Sequence, residues 1–183
     1  GELIDVDFSL YSGMPSIEEI VHMERLKTAV YSFEAPLQAG ALLAGATHDV
    51  IAALGEFGRN IGIAYQIVDD LLGVFGNEAS TGKTTLGDLR EGKRTVLIAL
   101  THERQSPAQA ETCKKYFGRA DLDAHGVAIV QEIIESTGAR AELEATIDKL
   151  TDAALNAAES SLFTNDGRAL LVELANIATK RSA

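Results

Sequence analysis

GIAYQIVDDLLGVFGNEASTGKTTLGDLREGKRT, residues 62–95, runs from an apolar helical stretch through an adjacent carboxylate pair into a glycine-rich loop. Ile61, Ala64, Tyr65, Val68, Leu71, Leu72 and Phe75 recur at spacings of three and four. That periodicity predicts one long helix, from about Asp49 to Phe75, with a wide apolar stripe. Gln66, Asp69 and Asp70 stand at i, i+3 and i+4, so they share a face. The stretch from Gly76 to Gly92 holds four glycines and no sustained period, which predicts a loop. Lys83, Arg90, Lys93 and Arg94 follow the acidic pair at once. Carboxylates hold a hard cation such as Mg2+ through oxygen. Lysines and arginines cover the phosphate charge that a metal leaves exposed. Together they predict a metal–diphosphate site. The plain alternative is a solvated acidic pair near a helix end.

Outward from this segment the pattern stays helical. Ser16 followed by Glu19 is a capping box, so a helix starts there. Its pattern runs from Ile17 to Leu43, with a kink or junction predicted at Pro36. Gly45 to His48 is a short connection. Beyond the loop, helices are predicted over about 94–103, 107–117, 121–136, 139–162 and 166–179, with Pro107 at a favoured first position. Ile129, Ile133 and Ile134 form one apolar face, and Leu143, Ile147, Leu150 and Leu155 another. No strand pattern or repeat is evident. The expected fold class is all-α, a helical bundle.

Composition narrows the function. The 183 residues suffice for a core, and 46% hydrophobic content excludes disorder. Abundant Ala and Leu with only three prolines favour helix. A net charge of −11 argues against nucleic acid as a partner. No apolar run reaches the length of a membrane span, and GELIDVDF lacks signal-peptide character. One cysteine, Cys113, cannot form an internal disulfide, which fits a reducing compartment. The expected location is cytoplasmic. Cys113 has no evident catalytic partners and reads as a bland thiol. His22, His48, His102 and His125 lack metal-ligand spacing and receive no role.

The loop contains a decoy. From Gly76 to Gly82-Lys83-Thr84 it looks like a nucleotide P-loop, but five residues stand where the motif has four. A helix also precedes it where the motif needs a strand. Lys83 can still meet phosphate as a point charge. Lys27 and Thr28, alone, would read as a solvated helical pair.

Two segments together resemble the trans-type polyprenyl diphosphate synthases, the family of farnesyl and geranylgeranyl diphosphate synthases. They are KTAVYSFEAPLQAGALLAG, residues 27–45, and the opening segment, residues 62–95. Residues 62–95 resemble the family's C-terminal aspartate-rich motif, the later of its two, with the lysine-containing loop that follows. The GELID start looks like the family's Gly-Gln-x-x-Asp helix, with Glu2 in place of glutamine. The DDLLGVFG form looks closest to bacterial long-chain or geranylgeranyl synthases.

The resemblance implies an all-α bundle of the isoprenoid synthase type. It implies Mg2+-dependent 1'-4 condensation of isopentenyl diphosphate with an allylic diphosphate, giving a longer polyprenyl diphosphate. Asp69 would bind Mg2+, with Asp70 in support. Lys27, Lys83 and Lys93 would hold diphosphate. Thr28 and Gln66 would line the reacting allylic carbon. Lys93 and Asp88 would order the closing loop. Homodimers are implied.

Three departures stand out. Gly73 replaces the last aspartate of DDxxD. Tyr65 replaces a common phenylalanine. The family's first aspartate-rich motif, with its arginines, is not in this sequence. Residues 1–183 therefore read as the C-terminal portion of one synthase domain. Alone, such a portion is expected to be incomplete, inactive and prone to self-association. The alternatives, in order, are a non-catalytic regulatory subunit of a heteromeric synthase and a helical interaction module.

Overall fold

The computed structural model describes residues 1–10, 13–76 and 87–180. Its helices are α1 (Glu2–Leu10), α2 (Ile17–Glu24), a π-helix (Arg25–Glu34), α3 (Ala35–Leu43), α4 (His48–Phe75), α5 (Gly87–Glu91), α6 (Val96–Arg104), α7 (Pro107–Tyr116), α8 (Ala124–Ser136), α9 (Ala139–Ala158) and α10 (Asn165–Thr179). The described residues contain no strand, as the all-α expectation requires. No described helix is long and apolar enough to cross a membrane.

The chain divides into two compact units. The first holds Gly1–Glu2, His22–Val68 and Thr146–Arg181. Its core joins Phe57 and Ile61 of α4 to Ala154 and Ala158 of α9 and to Leu171, Ala175 and Ala178 of α10. Small alanines on α9 and α10 let the helices approach, so Phe57 and Ile61 are completely buried. Each such side chain contributes about 1.5–3 kcal/mol on leaving water.

The π-helix belongs to this unit and lies against α4 where α4 has no side chains. A Cβ at Gly62 would stand 2.5 Å from Ala29 Cα, and one at Gly58 would stand 2.9 Å from Glu34 Cα. Glycine is what permits that approach. The winding is explicit at its end, where Ala35 N–H donates to the Val30 carbonyl, five residues back. The junction expected at Pro36 falls at residues 34–35, and Pro36 sits in the first turn of α3. Pro36 cannot donate to residue 32 and crowds its carbonyl. A wider turn ahead of it relieves both problems.

The second unit holds Leu3–Val21 and Asp69–Ala145. Its α6 is buried from Val96 through Thr101, because the apolar run leaves no polar face. Thr95 caps it, accepting from Ile98 N–H. The capping box at Ser16 and Glu19 forms as expected, with both bonds in place. Ser106 and Gln109 make another one ahead of α7. Both α6 and α7 pack on α8.

Of the loop expected over 76–92, residues 77–86 lie outside the described residues, and Gly87–Glu91 is helical instead. Tertiary contacts hold that short turn. Leu89 is fully buried, and its carbonyl accepts from Gly118 N–H at 2.8 Å. Arg90 donates through Nε and Nη2 to the Leu122 carbonyl at 2.9 and 2.7 Å. Gly92 then ends the turn at φ +69°, a left-handed conformation that favours glycine.

Candidate functional site

The predicted site residues fall into two groups, one in each unit. In the first, Thr28 on the π-helix donates from Oγ1 to Gln66 Oε1 on α4 at 2.7 Å. These positions lie 38 residues apart in sequence. Lys27 Nζ stands 3.2 Å from Glu2 Oε2, so the N-terminal carboxylate holds the ammonium. Thr28 and Gln66 are both half-buried, which strengthens their dipoles relative to water.

Glu34, at the end of the same π-helix, is buried and paired, although the sequence offered little sign of it. Arg25 donates through Nε and Nη2 to Glu34 Oε1 and Oε2 at 2.9 and 3.1 Å. Arg59 Nε of α4 stands 3.9 Å from the same Oε1. The bidentate geometry with Arg25 is the strong form of such a pair. Nine residues separate the partners, a spacing that α-helical reasoning discards.

The second group surrounds the end of α4. Asp70 is 1% exposed, and Lys93 Nζ donates to its Oδ1 at 2.7 Å. Asp88 Oδ2 lies 3.7 Å from the same nitrogen. Burial works against the Lys93 ammonium, but the charges and hydrogen bond of Asp70, then Asp88 and Asp69, outweigh it. Its pKa therefore lies above the ordinary lysine value. Lys93, read in the sequence as a diphosphate-holding lysine, donates here to Asp70.

Gly73 has a specific neighbour. A Cβ there would stand 2.2 Å from Asp88 Oδ2. The Asp88 carboxylate thus occupies the space over Gly73 where a side chain would begin. This is the position where the sequence pattern left a third carboxylate missing.

Asp69 is half-buried beside Asp70 on α4. Among the described residues no group of three or more His, Cys, Asp or Glu side chains is arranged to hold a metal. The oxygen donors present do not make an all-protein cage. They do fit Mg2+, which takes one or two carboxylates and completes its shell with water and substrate phosphate. Lys83 lies outside the described residues. Cys113 is half-buried, and burial pushes its thiol up.

Residues 1–136 match the polyprenyl synthetase family. The geranylgeranyl diphosphate synthase of Sulfolobus acidocaldarius is 40% identical over 103 residues, 56% of this chain and 31% of that protein. The (2E,6E)-farnesyl diphosphate synthase of Mycobacterium tuberculosis is 36% identical over 143 residues, 76% of this chain and 39% of that protein. Among solved structures, a Corynebacterium glutamicum geranylgeranyl pyrophosphate synthase complexed with isoprenyl diphosphate and magnesium superposes with a TM-score of 0.92 at 39% identity. The match covers 98% of this chain and 51% of that one. A Caulobacter crescentus polyprenyl synthase complexed with calcium and isoprenyl diphosphate gives 0.87 at 31% identity, covering 100% of this chain and 55% of that one. The chain spans about half the length of these structures and less of the curated relatives. The fold is the all-α fold of the isoprenoid synthases.

Proposed function

Because this chain belongs to the polyprenyl synthetase family, we propose that it supplies the second-aspartate-motif part of a prenyl diphosphate synthase. The reaction is condensation of isopentenyl diphosphate with an allylic diphosphate. The observation that carries this reading is the 2.7 Å bond between Thr28 and Gln66, which joins the two segments bearing the sequence signature.

The chemistry needs an ionising C–O bond, with negative charge leaving on diphosphate and positive charge left on carbon. Asp69 would hold Mg2+, which when bound would supply electrostatic stabilisation of the departing charge. Lys27 and Lys83 would each offer ammonium charge to diphosphate. Glu2 holds Lys27 in position until substrate arrives. Thr28 spends its hydroxyl proton on Gln66, so the lone pairs of Oγ1 are left to face a developing cation. Asp70, Lys93 and Asp88 form an ion cluster that sets the course of the chain after the loop. The apolar helix walls exclude water from the cation. The same reading makes the protein a homodimer.

Calorimetric titration of geranyl diphosphate tests it, with and without Mg2+, on this chain and on Asp69→Ala. Mg2+-dependent binding lost in the variant is the expected result. Equal binding by both proteins would remove Asp69 from the site.

A further inference from the structure

We propose that the Arg25–Glu34 ion pair is a register lock, which keeps residues 25–34 in π-helical winding and so aims Thr28 at Gln66. In an α-helix, residues nine apart are separated by about two and a half turns and point to opposite sides. In a helix closing i→i+5 bonds, with about 4.4 residues per turn, nine residues make about two turns. The two side chains then stand on one face. The bidentate contact at 2.9 and 3.1 Å can therefore form only in the wider winding.

The lock is anchored as well as wound. Glu34 is 7% exposed, so a carboxylate there needs its guanidinium partners. Arg59 Nε reaches it from α4 at 3.9 Å. Gly58 fixes the same end, since its absent Cβ leaves the space in which Glu34 backbone lies. With residue 34 held, the winding decides where the earlier residues point. Thr28 is six residues back. Rewinding from about 82° to 100° per residue swings it by about 110°. The hydroxyl would leave Gln66. Lys27, one residue further, would turn more.

Glu34 and Arg25 are thus positioning residues, and their role rests on the functional reading above. The test separates the two. Scalar couplings across hydrogen bonds in the labelled protein report which carbonyl pairs with each amide. The native protein should couple Ala35 N–H to the Val30 carbonyl. Arg25→Gln should move that pairing to residue 31, and Glu34→Gln should do the same where it folds. Arg25→Lys, which keeps the charge, should retain the native pairing. Arg25→Gln should also weaken Mg2+-pyrophosphate binding about tenfold, with the lysine variant close to native. An unchanged Val30 pairing in Arg25→Gln would overturn the lock. A native protein that fails to bind pyrophosphate would count against the functional reading and leave the coupling result to decide the lock.

Discussion

Replacing Lys93 by methionine should be among the most costly single changes in this chain. The substitution keeps an unbranched stem of similar length and removes the ammonium. Asp70, at 1% exposure, then loses a charge-assisted bond of 2.7 Å. Removing one partner of a buried pair costs about 3–5 kcal/mol, because the remaining charge loses an attraction made in a low-dielectric site. The Lys93 side chain is 27% exposed, so water can reach part of the gap and the lower end applies, about 3 kcal/mol. With a urea slope of about 2 kcal/mol/M, the midpoint should fall by about 1.5 M. Adding Asp70→Asn lowers the charge left in the buried site and should recover part of that loss. The Lys93 pKa is raised in the folded state, so its stabilisation is fully present below about 10.4, the unfolded value. It is lost only as pH rises through the higher folded value. The difference between the two proteins should therefore stay flat from neutrality to about pH 9. A midpoint shift under about 0.3 M, or no recovery in the double variant, would refute the argument.

Four other outcomes follow from the geometry. Gly62→Ala places a Cβ 2.5 Å from Ala29 backbone, which cannot rotate aside, and should cost about 1–3 kcal/mol by thermal or urea unfolding. Gly73→Ala places a Cβ against the Asp88 carboxylate, 2.8 Å from its Cγ, so Asp88 must turn aside; the gain in helix propensity of about 1 kcal/mol offsets this, and urea unfolding should show stability near native. Iodoacetamide should alkylate Cys113 more slowly than free cysteine at pH 8. Its rate should climb only above the ordinary thiol range, because burial raises its pKa; the kinetics of a free thiol would contradict this. Leu42 and Leu43 are 67% and 89% exposed, so sedimentation should show concentration-dependent association that Leu43→Glu reduces; a monomer at every concentration would refute it.

Much of the fold was legible because helices announce themselves locally. The three-and-four spacing from Ile61 to Phe75 marked α4, and His48–Phe75 is what folds. Ser16 and Ser106 marked helix starts through their own side chains. The acidic pair ahead of a basic loop was equally plain, since both charge types stand within one short segment. The short helix α5 was not legible. Its five residues are held by Gly118 and Leu122, about 30 positions away.

What the sequence determined alone is therefore the helical class, most helix starts and the identity of the charged residues near the end of α4. These follow from period, capping and residue type, all properties of short windows. Tertiary structure decided how those residues are paired. Asp70 serves Lys93, Asp88 fills the space over Gly73, and Thr28 meets Gln66. It also decided the π-winding of residues 25–34, which lies against the glycine notch of α4. An α-helical pattern cannot encode that winding, because the energy that selects it comes from contacts the local chain does not make.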